Sequence, residues 1–336
     1  MIFEQFFILI VFILNLIFIV NFDKLNFFHI NLDKPDNKRK FHTKPIPRAG
    51  GLLFFINIFF YLILLLIFED NLSLEIFFDN IYSLKIFLVT FISIFILGYL
   101  DDRYNLNPNL KFLSMVIIFL ILLLLDESIV ISNLQFSFYS NLIDLGYINI
   151  FFTLFCFLVY LNAFNMFDGI NLQVVSYSII MCLYFNLFLL DSYFIKLILI
   201  FLFFFSYLNY NNKSFLGDSG SLSISFVLGY IFIKFYNQNY IIFADKVLIF
   251  MIIPGIDLIR LFILRLMNKK NPLRPDRNHL HHVLLSKFSY KLTLLIIISL
   301  ILFPVILTFT NINNILIIIL TITLYCITLL ASYKKN

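Results

Sequence analysis

LKIFLVTFISIFILGYLDDRYN, residues Leu84–Asn105, is an apolar run with Lys85 at its start and two adjacent carboxylates, Asp101 and Asp102, at its end. An apolar stretch of this length suits a helix crossing the ~30 Å hydrocarbon core of a bilayer. A carboxylate at the bilayer centre costs ~2.5–3.5 kcal/mol on insertion scales, and two side by side also repel. Where a membrane helix meets water, both can stay ionised, and there they can hold a divalent cation or take a proton beside one. The plain alternative is a solvated helix end with Arg103 as counter-ion.

The rest of the chain has the same character. Of its 336 residues 62% are hydrophobic, against about half in soluble domains, and no polar segment is long enough to form a soluble domain. The expected fold is therefore an all-α polytopic integral membrane protein forming one domain over residues 1–336. Eleven apolar runs are expected to span, near 3–22, 50–68, 84–100, 110–125, 149–165, 174–190, 194–210, 221–236, 246–266, 292–309 and 314–331. Run length and the lack of period-2 alternation favour helices over a barrel. The apolar part of the first run, Phe6–Val20, follows an acidic Glu4 and lacks a basic flank and a small-residue cleavage site, so it reads as a retained helix. The 46 Phe, with abundant Ile, Asn and Lys, fit codon bias in an AT-rich genome, and Cys156, Cys182 and Cys326 lie in apolar runs that suggest neither disulfides nor a metal framework.

Lys and Arg concentrate in 23–49, in 267–291 and in the tail, which by the positive-inside rule sets the N-terminus outside and the C-terminus in the cytoplasm. That orientation places four polar islands on the cytoplasmic side. RKFHTKPIPRAGG (39–51) offers Lys44, Arg48 and the Gly50–Gly51 pair as an anion cradle at a helix N-terminus, or else as a basic membrane anchor. NAFNMFDGIN (162–171) repeats Asn162, Asn165, Asp168 and Asn171 every third residue, a slowly rotating polar ridge if helical. FLGDSGS (215–221) combines flexible glycines with Asp218, whose hard oxygens suit Mg²⁺, while Asp218 or Ser219 could equally cap a helix starting near 221. PLRPDRNHLHH (272–282) brings Arg277 beside His279, His281 and His282, a set better suited to phosphate than to zinc because no Cys and only Asp276 accompany it. The outer gap 126–148 is amphiphilic and reads as a hairpin or a surface helix. Together the islands hold metal ligands, a candidate base and cationic clamps, the inventory of a phosphotransfer site.

HTKPIPRAGG, GYLDDRYNLNPNLKF, NAFNMFDGINL, FLGDSGSLSISFVLG and PDRNHLHH, in that order, resemble the polyprenyl-phosphate N-acetylhexosamine-1-phosphate transferases (glycosyltransferase family 4) from about residue 38 to 290. The resemblance implies a bacterial cell-membrane enzyme that moves a HexNAc-1-phosphate from a UDP-sugar to undecaprenyl or another polyprenyl phosphate, releasing UMP and using Mg²⁺ (or Mn²⁺). PIPRAGG and PDRNHLHH are closer to the branch that uses UDP-GlcNAc to prime O-antigen, enterobacterial common antigen or teichoic acid than to the UDP-MurNAc-pentapeptide branch of peptidoglycan synthesis. It implies catalytic roles for Asp101 and Asp102, with Asp101 favoured as base, and Mg²⁺ ligands at Asp218 and Asn165. Asn162, Asp168, Asn171 and Phe215 are then expected near the nucleotide, with Lys44, Arg48, Arg277, His279, His281 and His282 around the phosphates. Asn171 stands where bacterial relatives carry a second Asp, and it hydrogen-bonds without charge. Membrane lipids are expected around the chain, nucleic acid is not, and a homodimer is compatible with the resemblance. The rival readings are a polytopic transporter and an inactive scaffold of the same fold.

Overall fold

The structure is a computed structural model that describes residues 2–24, 31–33, 44–68, 77–269 and 278–333. Among these residues ten helices are long and apolar enough to cross a membrane. The chain divides into two compact units, one formed by 1–126 with 178–228 and the other by 127–177 with 229–336.

The first unit contains α1 (Ile2–Asn21), the two-residue strands β1 (Leu32–Asp33) and β2 (Ile46–Pro47), α2 (Gly50–Ile67), α3 (Ile81–Tyr104) and α4 (Pro108–Leu125). Short polar signals punctuate the apolar runs. Asn80 and Ser83 form a reciprocal capping box at the start of α3. At its other end Asn105 takes a left-handed φ of 50°, which Asn tolerates, and stops the helix. Asn107 then caps α4 by accepting the Asn109 N–H, with Pro108 at the first helical position, where its missing donor costs nothing. The reversal between α3 and α4 therefore takes three residues, and it places Lys111 in the first turn of α4 beside the last turn of α3.

Aromatic rings pack these helices. Phe55 stacks on Phe95 with centroids 4.1 Å apart, and Phe87 stacks on Phe226 at 5.0 Å. Whatever its genomic origin, part of the Phe excess is used as ring-on-ring packing.

Two expected boundaries move. The run expected to span at 174–190 becomes α6 (Gln173–Tyr184) followed by a π-helical turn, Phe185–Leu189, shorter than the ten spanning helices. The cause is polar: Asn186 holds Asp191 and accepts the Ser192 N–H, and Ser192 already caps α7 (Tyr193–Tyr210). The other shift concerns the aspartate pair, which lies just beyond the span expected at 84–100. Helix α3 continues through it to Tyr104 because nothing before Asn105 breaks the backbone ladder.

The second unit contains β3 (Asn133–Phe136), β4 (Tyr139–Asp144), α5 (Asn149–Phe167), α9 (Ala244–Met267), α10 (Leu280–Leu285), α11 (Tyr290–Leu307) and α12 (Asn314–Tyr333). The division between the units falls within α6 and within α8 (Gly217–Asn237). The amphiphilic gap 126–148 is the β3–β4 antiparallel hairpin, as one of its two readings required. Its turn is pinned by Asp245, which accepts the Ser137 N–H at 2.8 Å and the Ser137 hydroxyl at 2.5 Å. Helix α9 carries Pro254, whose ring removes one backbone donor a single turn before Asp257.

Candidate active site

In the first unit the end of α3 meets the start of α8. A helix N-terminus presents backbone N–H groups with no partner inside the helix. Helix α8 begins at Gly217, four residues earlier than its apolar run suggested, and Asp102 from α3 caps it. Its Oδ1 accepts the Asp218 N–H at 2.9 Å, and its Oδ2 accepts the Ser219 N–H at 2.9 Å and the Ser219 hydroxyl at 2.8 Å. Arg48 adds a contact to Oδ1 at 3.2 Å and donates to the Asp102 carbonyl at 2.9 Å. The charge thus rests on the positive end of the α8 dipole, and charge-assisted bonds fill both oxygens.

Backbone geometry makes this approach close. Gly217 has φ +75°, and a Cβ there would stand 2.7 Å from Asp102 Oδ2. Gly98, one turn before the aspartate pair, lies against α8 so closely that a Cβ would sit 2.5 Å from Ser219 Cα. Small residues at such crossings allow helices to pack where water supplies no driving force.

Asp101 is arranged differently. Its Oδ1 accepts the Leu106 N–H at 2.8 Å, while its Oδ2 takes the Lys111 ammonium at 2.7 Å. The same ammonium lies 2.7 Å from Asp218 Oδ2. Lys111 therefore bridges two carboxylates from different helices. Asp218 is the most open of the three, its side chain 38% exposed against 12% for Asp101 and 2% for Asp102.

Three expectations change here. Neither Asp218 nor Ser219 is the N-cap of α8, since both lie inside its first turn and the cap comes from Asp102. The Gly50–Gly51 anion cradle does not form, because those amides donate to the Phe215 and Leu216 carbonyls at 3.0 and 2.9 Å. Arg48 pairs with Asp33 and Asp102 rather than standing open for a phosphate. Burial works against its charge, but Asp102 and then Asp33 hold its pKa above the usual guanidinium value. Lys44 is exposed, and the Phe215 backbone bridges to the chain before α2 through the Pro47 carbonyl.

The other expected residues belong to the second unit. Asn162 and Asn165 are on α5, with the Asn162 amide bonded back to the Leu158 carbonyl at 2.7 Å. The polar ridge stops there, because Asp168 is the C-cap of α5 and Asn171 lies in the turn beyond, where its carbonyl accepts the Tyr290 hydroxyl at 2.9 Å. His279 and His282 do not share a helical face, since His279 is the N-cap of α10. The three imidazoles nevertheless cluster, with centroids 5.4 Å apart for His279–His281 and 4.3 Å for His281–His282. His281 is buried against Gly169, and burial, then His282 and His279, draw its pKa well below the ordinary imidazole value. It is therefore neutral at pH 7. Arg277 falls outside the described residues.

Asp257 is a second residue, after Lys111, that the sequence reading missed. Buried on α9, it accepts from Arg260 at 2.7 Å, from the Tyr325 hydroxyl at 2.7 Å and from the Leu280 N–H at 3.2 Å, with His279 Nδ1 at 3.1 Å. That ring contact leaves His279 Nε2 as the nitrogen able to act outward. The available signal was a carboxylate inside an apolar run one helical turn from Arg260.

No group of three or more His, Cys, Asp or Glu among the described residues is placed to hold a metal ion. The donor chemistry still fits Mg²⁺ in its usual form, one or two carboxylates completed by water and substrate phosphates. Asp101 and Asp218 offer such oxygens, already gathered round one cation, the Lys111 ammonium. Asp102 has none to spare.

The chain is similar to several known proteins. The family model for glycosyl transferase family 4 matches residues 84–236. The probable undecaprenyl-phosphate N-acetylglucosaminyl 1-phosphate transferase of Bacillus subtilis (strain 168) is 26% identical over 275 residues, covering 79% of this chain and 73% of the relative. The undecaprenyl-phosphate alpha-N-acetylglucosaminyl 1-phosphate transferase of Thermotoga maritima is 28% identical over 271 residues, covering 80% and 77%. The protein of that name from Escherichia coli (strain K12) is 28% identical over 269 residues, covering 76% and 69%. Residues 84–236, which include Asp101, Asp102, Lys111 and Asp218, are thus similar to glycosyl transferase family 4.

Proposed function

We propose that the protein transfers GlcNAc-1-phosphate from UDP-GlcNAc to undecaprenyl phosphate, releasing UMP and forming the lipid-diphosphate-linked sugar that starts a cell-envelope polysaccharide. The observation that carries this reading is the Asp101–Lys111–Asp218 bridge at the meeting of three apolar helix ends, α3, α4 and α8. A lipid phosphate anchored in the bilayer and a water-soluble nucleotide sugar meet at that level of a membrane. The names of the relatives support the acceptor and the transferred group.

In this reading Asp218 would hold Mg²⁺ (Mn²⁺ as substitute), and the ion would neutralise charge on the donor pyrophosphate. Asp101 orients the acceptor phosphate or takes its proton. That phosphate has a second pKa near 6, so it is largely dianionic at neutral pH and needs orientation more than deprotonation. Asp102 keeps α8 and the Asp218 backbone in place. Asn162, Asp168, Asn171 and Phe215 serve the nucleotide. Lys44, Arg277, His279 and His282 serve the phosphates, with His281 a neutral hydrogen-bonding partner instead of a cation. The site faces the cytoplasm, on the strength of the Lys- and Arg-rich segments 23–49 and 267–291, with the N-terminus outside and the C-terminus inside if Gln173–Leu189 counts as a crossing.

The test uses membranes containing the protein, undecaprenyl phosphate and a panel of UDP-sugars, scored for UMP. Lipid-dependent UMP release from UDP-GlcNAc is expected. Release from UDP-MurNAc-pentapeptide alone would move the protein to the peptidoglycan branch, and release from no donor would leave a scaffold or a transporter.

A further inference from the structure

Lys111 has no role in the reading so far beyond its two contacts. Its ammonium stands 2.7 Å from Asp101 Oδ2 and 2.7 Å from Asp218 Oδ2, and its side chain is 14% exposed. The two carboxylates come from α3 and α8 and meet on one ammonium, which offsets their mutual repulsion. The third carboxylate cannot share that cation, because four donors occupy Asp102. A metal ion that takes the two oxygens facing each other across the ammonium, Asp101 Oδ2 and Asp218 Oδ2, would replace it there.

We propose that Lys111 is the resident counter-ion of the Asp101–Asp218 pair, displaced when a divalent cation binds, so that it sets the metal affinity of the empty site and frees its ammonium for a phosphate group. The inference rests on the transferase reading for the metal's presence, and adds competition between lysine and metal for the same oxygens. The physical basis is charge balance. Two carboxylates with one ammonium carry a net charge of about −1, whereas a divalent ion in place of the ammonium would bring the same pair to zero. An ammonium and a divalent ion within a few ångströms repel, so joint occupancy is disfavoured and exchange is favoured. Lysine suits the exchange because its compact charge sits on a flexible four-carbon stem, which can swing away without rearranging a planar fork of bonds. The position also fits: Lys111 is in the first turn of α4, three residues after the Pro108 that starts it, so its backbone stays anchored while the side chain moves. A substrate phosphate arriving with the metal would receive the released charge.

The experiment is a Mn²⁺ titration of the detergent-solubilised full chain, read by electron paramagnetic resonance without nucleotide or lipid phosphate. Lys111→Gln should bind Mn²⁺ on the order of tenfold more tightly than wild type, an energy that is modest beside two charge-assisted bonds because solvent re-enters the site. Lys111→Gln combined with Asp218→Asn should lose that gain. In wild-type protein, Mn²⁺ should increase acetylation of Lys111 by an amine-reactive reagent, read by peptide mass spectrometry, which keeps the proposal testable if the Gln variant does not fold. Equal Mn²⁺ affinity in wild type and Lys111→Gln, a gain that survives Asp218→Asn, or acetylation indifferent to Mn²⁺ would overturn it. These readouts contain no turnover, so a chain that exchanges lysine for metal but releases no UMP would sink the transferase reading and leave this inference standing.

Discussion

The two units each contain a polar cluster built around carboxylates, and they satisfy those carboxylates in opposite ways. In the second unit Asp257 alone collects Arg260, His279, Tyr325 and the Leu280 N–H, so several donors serve one acid. In the first unit four acids, Asp33, Asp101, Asp102 and Asp218, meet two cations, Arg48 and Lys111, and each cation serves two acids at once. A carboxylate surrounded by donors is a fixed support, because any departure leaves several buried groups unpaired. Carboxylates that share a donor are under-supplied, so they accept another cation readily. Asp102 shows that the distinction follows environment and not unit, since it is as saturated as Asp257 and lies next to the under-supplied Asp101 in sequence.

The largest expected effect would break the comparison at its most saturated point. Asp102→Asn places an amide where three donors of α8 converge and leaves Arg48 half-paired. It should lower stability by about 3 kcal/mol, the scale of disrupting a buried hydrogen-bonded ion pair. Thermal unfolding in detergent measures it, and a melting temperature equal to wild type would show that α8 has another cap. Next comes Asp218→Ala at the under-supplied end. Turnover should fall by ~10²-fold or more, as when a positioned charge is lost, while the melting temperature changes little because Asp218 is partly exposed. Near-normal UMP release would return Asp218 to a merely structural place in the first turn of α8.

A pH dependence sharpens the picture of the second cluster. His281 has a depressed pKa in the folded protein, whereas an unfolded imidazole titrates near 6.5. As pH falls below ~6.5 the unfolded chain takes up a proton that the folded chain refuses, so stability is complete above that pH and falls below it, by at most ~1.4 kcal/mol per pH unit. Melting curves between pH 7 and 5 should show the loss, and His281→Gln should flatten that slope. The smallest expected effect is that of Tyr325→Phe, which removes one of several donors to Asp257. It should cost about 1 kcal/mol, and a loss several times larger would mean that Asp257 depends on one donor after all.

Much of the architecture was legible in the chain. The apolar runs marked ten helices within a few residues of their observed ends, because backbone satisfaction in lipid leaves a long apolar segment almost no alternative to a helix. Asn105, Asn107 and Pro108 announced the tight turn between α3 and α4 through their intrinsic backbone preferences. Lys111 was overlooked, but the acids Asp101, Asp102 and Asp218 were named, since carboxylates are conspicuous in an apolar chain. Their division of labour was not. Whether Asp101 or Asp102 meets the start of α8 depends on which face of the last turn of α3 points toward it, and adjacent residues on a helix point about 100° apart. Asp257 stayed hidden because its partners lie up to 68 residues away, on α12, and no local pattern encodes such a contact.

By itself, then, the sequence determined a polytopic helical membrane protein with its charged chemistry gathered at helix ends, because burial in lipid penalises every unpaired polar group. Only the tertiary structure decided which carboxylate caps a helix, which pair shares Lys111 and which acid holds His279. Hydrogen bonds are short and directional, and the groups that complete them are brought together from distant parts of the chain by packing alone.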